Sequence, residues 1–142
     1  MPIEIRPAQE CDLEGLRELY LASRRSAFHW LQPGSLQLED FDRDTQDEPI
    51  LVAVHGGSIV GFVSWWPPAD FIHNLFIAPS QLRCGIGREL LAAALERIGR
   101  PVTLKCSQPN EAALAFYRRL GWVVAGEGET DGVGYYLMSL SD

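Results

Sequence analysis

Residues 82–88, Leu82-Arg83-Cys84-Gly85-Ile86-Gly87-Arg88, lie between two segments of different periodicity. Before them Phe71-Ile72-His73-Asn74-Leu75-Phe76-Ile77 reads as a mostly buried strand stopped by Pro79, and after them Ile86, Leu90, Leu91, Ala94, Leu95 and Ile98 form one apolar helical stripe. The first N–H groups of a helix have no partner within it, and the helix dipole places about half a positive charge there. Gly85 and Gly87 remove Cβ atoms that would block an approaching ligand, so the backbone from Arg83 through Cys84, Gly85, Ile86 and Gly87 to Arg88 suits a pyrophosphate. Glycines at such a junction also serve a turn with no ligand at all. No Lys-Ser/Thr pair follows, as a P-loop requires, and Leu90 stands where a dinucleotide fingerprint has its third glycine.

A second block, Asn110-Glu111-Ala112-Ala113-Leu114-Ala115-Phe116-Tyr117-Arg118-Arg119-Leu120-Gly121-Trp122, follows in the chain. With Leu75-Phe76-Ile77-Ala78-Pro79 and the Gly85 loop, it resembles the GNAT superfamily of acetyl-CoA-dependent N-acetyltransferases. The resemblance implies an α/β acyl-CoA N-acyltransferase fold, with a mixed, mostly antiparallel sheet of about seven strands and about four flanking helices. It implies acetyl-CoA as co-substrate and no metal. The pantetheine arm would pair with the backbone of Leu75, Phe76 and Ile77, residues 83–88 would hold the pyrophosphate, and Asn110 would hydrogen-bond the arm while serving as a helix cap. The family usually carries Gln or Arg three residues before the first glycine, where this chain has Leu82, so Arg83 or Arg88 would supply the charge there.

Acyl transfer to an amine expels a thiolate, and a phenol, with a pKa of about 10, is protonated at neutral pH. The resemblance makes Tyr117 that acid; from helical spacing alone it is a core aromatic. A Lys-like amine is mostly protonated at pH 7, so a base is useful; imidazole is the side chain suited to proton transfer near neutral pH, and His73 is the candidate beside the exposed backbone. A lone His on a buried strand is as readily a structural residue. Phe28, His29, Trp30, Trp65, Trp66 and Asp70 fall on elements that wall the acceptor site in similar folds. The expected reaction is direct attack of a primary amine, on a small molecule or a peptide, in a ternary complex. The alternative is a CoA-binding sensor domain without turnover.

The elements that must hold these residues are expected in the order β-α-α-β-β-β-α-β-α-β-β within one domain, residues 1–142. Ile50-Leu51-Val52-Ala53-Val54 and Ile59-Val60-Gly61-Phe62-Val63 flank a Gly56-Gly57 turn as the clearest hairpin. Closing strands are expected over residues 122–125 and 135–140, and the polar residues 40–49 as an exposed loop. The net charge of −7 opposes nucleic-acid binding. No apolar run approaches the ~20 residues of a membrane span, the first residues lack a signal-peptide core, and three scattered cysteines suggest reduced thiols, so the cytoplasm is expected. A homodimer is left open.

Overall fold

The computed structural model describes residues 3–28, 33–82 and 84–141. Its elements are β1 (Glu4–Pro7), α1 (Leu13–Ala27), α2 (Asp40–Asp44), β2 (Ile50–His55), β3 (Ser58–Trp66), β4 (Phe71–Ile77), α3 (Ile86–Leu95), β5 (Val102–Ser107), α4 (Glu111–Arg119), β6 (Val123–Thr130) and β7 (Val133–Leu140), the order read from the sequence. They build one seven-stranded sheet, β1-β2-β3-β4-β5-β7-β6, antiparallel except between β4 and β5. Alternation along the strands divides the core into two layers. On one face Leu16, Leu19, Tyr20 and Phe41 from α1 and α2 cover Val52, Phe62 and Phe76. On the other, Ile86, Leu90, Leu91 and Ala94 of α3 and Tyr117 of α4 cover Leu51, Val63, Ile72 and Leu104.

Two expectations need correction. Residues 40–49 are an exposed loop only in part: α2 takes Asp40–Asp44, with Phe41 fully buried and Asp40 buried against Arg24, while Gln46, Asp47 and Pro49 beyond it are exposed. The last hairpin is longer than expected: β6 runs to Thr130 and turns through Asp131 and Gly132, both at positive φ, into β7, while Trp122 precedes the strand as a core residue. Gly126, Glu127, Gly128 and Glu129 hid that strand, since an edge strand with an exposed face needs little apolar alternation.

The feature that shapes the site is in β4. Its ladder to β3 pairs Ser64 with Asn74 and Trp65 with Ile72, so His73 is an extra, unpaired residue. Such a bulge bends its strand and turns two successive side chains to one face. Beyond the bulge β4 leaves its other neighbour: the pairing with β5 covers only Phe71 with Thr103 and Ile72 with Leu104. Residues 73–77 and 105–107 therefore face each other across an open wedge in the sheet.

Candidate active site

The wedge exposes backbone that an ordinary sheet would use up. The N–H of Ala78 donates to the carbonyl of Val60 at 2.8 Å, which fixes the alternation of the ladder. Phe76 therefore spends its N–H and C=O on β3, whereas Leu75 and Ile77 turn theirs into the wedge. The Ile77 carbonyl already accepts from Ser23 Oγ at 3.0 Å. Of the three residues expected to offer backbone, Leu75 and Ile77 do so and Phe76 does not.

At the wide end of the wedge, α3 begins with no side-chain cap, and its first intrahelical bond runs from Glu89 N–H to Gly85 C=O. The N–H groups of Ile86, Gly87 and Arg88 thus point outward from the helix end. Cys84 and Arg88 are exposed, Leu82 is 54% exposed, and Arg83 lies outside the described residues. The two glycines play different parts. Gly85 sits at φ +81, with nothing within 4 Å of a built Cβ, so it is needed for its backbone angle. A Cβ on Gly87 would meet Phe116 at 3.5 Å and Ile77 at 3.6 Å, ordinary contacts inside the fold, so this residue offers its N–H and not a cleared space. Gly85→Ala should cost roughly 1–2 kcal/mol of backbone strain, whereas Gly87→Ala should be tolerated. Denaturant unfolding checks this, with a lower midpoint expected for the first variant alone.

On the α1/α2 face the bulge turns both His73 and Asn74 toward the segment after α2. His73 Nδ1 lies 2.9 Å from Glu48 Oε2, with the imidazole 43% exposed and the Glu48 side chain 6%. Ser64 Oγ donates to Glu48 Oε1 at 2.9 Å, and Asn74 Nδ2 donates to Ser64 Oγ at 2.9 Å and to the Asp44 carbonyl at 3.2 Å. His73 is thus neither buried nor alone, as the strand pattern had suggested. A shallow cavity of about 490 Å³ opens beside it, lined by Glu48, Trp66, Ala69, Phe71, His73, Lys105 and Leu137. Of the acceptor-wall residues read from the sequence, Trp66 lines this cavity. Trp65 points the opposite way, into the α3/α4 core, because neighbouring strand residues face opposite sides. Asp70 turns at φ +47 and accepts from the Gly99 N–H at 3.3 Å, fastening the start of β4 to the end of the α3 segment, outside the cavity. His29 and Trp30 lie outside the described residues. Glu48, Ser64 and Asn74 carried no sequence signal, since neither spacing nor motif connects them.

Tyr117 lies across the sheet, 8% exposed, with its ring edge-on to Phe116 at 5.2 Å and to Trp122 at 5.8 Å. Its hydroxyl makes no hydrogen bond among the described residues and, unlike the indole nitrogen of Trp122, is not sealed from solvent. Burial, with a smaller contribution from Cys106, pushes the phenol above its ordinary pKa. Burial pushes the neighbouring Cys106 thiol up to about 11. Asn110 caps α4, its Oδ1 accepting from the Ala113 N–H at 3.3 Å, and its amide nitrogen has no partner among the described residues. Tyr117 and His73 do not touch; they stand on opposite faces with the wedge between them. Among the described residues no group of three or more His, Cys, Asp or Glu side chains could hold a metal ion.

Comparison with known proteins agrees with this geometry. The chain is 32% identical over 146 residues to the peptidyl-lysine N-acetyltransferase YjaB of Escherichia coli K12, covering 99% of this chain and 97% of that one. It is 30% identical to an L-methionine sulfoximine/L-methionine sulfone acetyltransferase of Pseudomonas aeruginosa, covering 89% and 84%. The solution structure of apo YjaB from Escherichia coli superposes with a TM-score of 0.82 at 28% identity over 98% of this chain and 97% of that one. The Thermoplasma acidophilum PaiA N-acetyltransferase, crystallised with coenzyme A, shares the fold with a TM-score of 0.82 at 21% identity over the full length of both. The model of the acetyltransferase (GNAT) family matches residues 13–122. The chain belongs to the GNAT family of acetyltransferases, enzymes that move an acetyl group from acetyl-CoA to an amine.

Proposed function

We propose that acetyl-CoA lies in the wedge, its arm paired with the backbone of Leu75 and Ile77 and its pyrophosphate at the start of α3, and that a primary amine on an apolar arm, such as a lysine side chain, reaches the thioester from the opposite face. The observation that carries this reading is the loss of β4–β5 pairing immediately after Ile72, on a strand that leads within ten residues to an uncapped helix N-terminus. Trp66, Phe71 and Leu137 suit an alkyl arm, and His73 stands where its amine would arrive. That two relatives act on peptidyl-lysine and on an amino-acid analogue supports an amine acceptor of this kind. Three unpaired thiols fit a reducing compartment, and we place the reaction in the cytoplasm.

In the reaction the amine nitrogen attacks the thioester carbonyl carbon, so that a C–N bond forms and the C–S bond breaks. His73 takes the proton the amine loses, and Tyr117 gives one to the departing sulfur. Asn110 holds the arm through its unpaired amide nitrogen, and Arg88 lies beside the pyrophosphate.

Thiol release from acetyl-CoA with a panel of lysine peptides, free amino acids and polyamines tests this; a chain that only binds CoA would release none. Leu75→Pro is the sharper variant. It deletes an N–H that faces the wedge and serves no ladder bond, so the sheet should survive while the KM for acetyl-CoA rises roughly tenfold, the size of one lost hydrogen bond of about 1.4 kcal/mol. An unchanged KM in a folded Leu75→Pro protein would show that the arm does not pair there.

A further inference from the structure

Behind His73 runs a chain of hydrogen bonds whose directions are set at its far end. The Asp44 carbonyl can only accept, so the atom of Asn74 that faces it is the amide nitrogen, and the same nitrogen donates its second hydrogen to Ser64 Oγ. With that lone pair engaged, the Ser64 hydroxyl sends its own hydrogen to Glu48 Oε1. The Glu48 carboxylate then has only an acceptor, Oε2, to offer His73, and the hydrogen in that contact must come from Nδ1. A neutral imidazole with its hydrogen on Nδ1 carries its lone pair on Nε2.

The fold has built this chain and hidden it. Ser64 and Asn74 are paired across β3 and β4 and are 0% and 5% exposed, the Glu48 side chain is nearly as buried, and the bulge puts His73 on the same face as Asn74. Three buried polar side chains, Ser64, Asn74 and Glu48, are thereby satisfied where apolar ones would have filled the space at no desolvation cost. The other charged group lining the cavity is Lys105, from β5, whose Nζ is held 4.7 Å over the Tyr135 ring. We infer that Glu48, supported by Ser64 and Asn74, is a positioning residue that fixes the His73 tautomer, so that Nε2 is left free to take the proton of the attacking amine. This inference rests on the reading of His73 as the base, and it makes a statement about the imidazole that holds whatever the acceptor is.

Long-range nitrogen–proton NMR on ¹⁵N-labelled protein reads the tautomer directly. The chain has three histidines, and His73→Gln identifies the resonance. In the unaltered protein the neutral His73 ring should show a protonated Nδ1 and a bare Nε2. Glu48→Gln, whose amide can donate to Nδ1, should shift the ring toward the Nε2–H form or to a mixture. It should lower kcat on the order of tenfold, less than the outright loss of an acid–base group, with the KM for acetyl-CoA unmoved. Ser64→Ala, which removes one oxygen, should move the tautomer partway and serves if Glu48→Gln does not fold. A predominant Nε2–H form in the unaltered protein overturns the inference, as does an unmoved tautomer in Glu48→Gln. Full turnover in His73→Gln would instead remove the base reading and leave the tautomer result standing on its own.

Discussion

Tyr117→Phe is expected to lower kcat by about 10²–10³-fold while leaving stability and acetyl-CoA affinity nearly unchanged. The ring contacts to Phe116 and Trp122 survive the substitution, and the hydroxyl has no hydrogen bond among the described residues to lose, so unfolding in denaturant should change by less than about 0.5 kcal/mol. A phenol pushed above its ordinary pKa is a weak acid, which raises the question of why sulfur should take its proton. The burial that raises the phenol also answers the question, because it keeps the phenol protonated at neutral pH and disfavours any charge formed beside it. A thiolate expelled beside it is poorly solvated and is favoured as the neutral thiol, so a protonated phenol is the right partner. The decisive measurement is thiol release at saturating acetyl-CoA and acceptor: unchanged release in the folded Phe variant would reduce Tyr117 to a packing residue.

What the chain revealed before folding and what it withheld separate along physical lines. The Gly85 turn, the α3 stripe, the Asn110 cap and the Gly56-Gly57 hairpin are each decided within a few residues, and each was legible. The bulge was not, because Phe71 to Ile77 is apolar enough on both faces to read as one continuous buried strand, and nothing local says that His73 lacks a partner. The His73–Glu48 contact joins residues 25 positions apart through a segment whose polarity suggested solvent, yet the Glu48 side chain is buried, with Ser64 and His73 satisfying both of its oxygens. The roles of the glycines show the same division. A positive φ at Gly85 follows from a strand–helix turn, whereas the closeness of Gly87 to Phe116 and Ile77 depends on how α3, α4 and β4 meet. The candidate base and its support were thus set by tertiary packing, and the glycine loop before α3 by local chemistry.

Asp40→Ala should destabilise the fold by roughly 3–5 kcal/mol at neutral pH, because it strands a buried guanidinium. Arg24 is 4% exposed, stacks over the Tyr20 ring at 3.8 Å, and donates to the Tyr20 and Gln37 carbonyls and to Asp40 Oδ2 at 3.0 Å. Without Asp40, carbonyl dipoles and the ring remain, but no countercharge as buried as the guanidinium. The pH dependence has a definite sign. Burial would raise the Asp40 carboxyl, but the Gln37 N–H, then Arg24 and Arg43, hold it below its ordinary value. A carboxyl depressed in the folded state stabilises above its unfolded pKa of about 3.9 and loses that contribution as pH falls through the folded value. The gap between Asp40→Ala and the unaltered protein should therefore be widest near pH 7 and narrow below about pH 4, as denaturant midpoints at the two pH values would show. The site feels the same change. Ser23, next to Arg24, holds the Ile77 carbonyl at the mouth of the wedge, so loosening the end of α1 should also raise the KM for acetyl-CoA. Pairing Asp40→Ala with Arg24→Met should restore much of the lost stability, since an apolar side chain in that space removes the stranded charge. If the double variant were less stable than Asp40→Ala alone, the stacking of Arg24 on Tyr20 and its two carbonyl bonds, and not the ion pair, would be what holds α1 to α2.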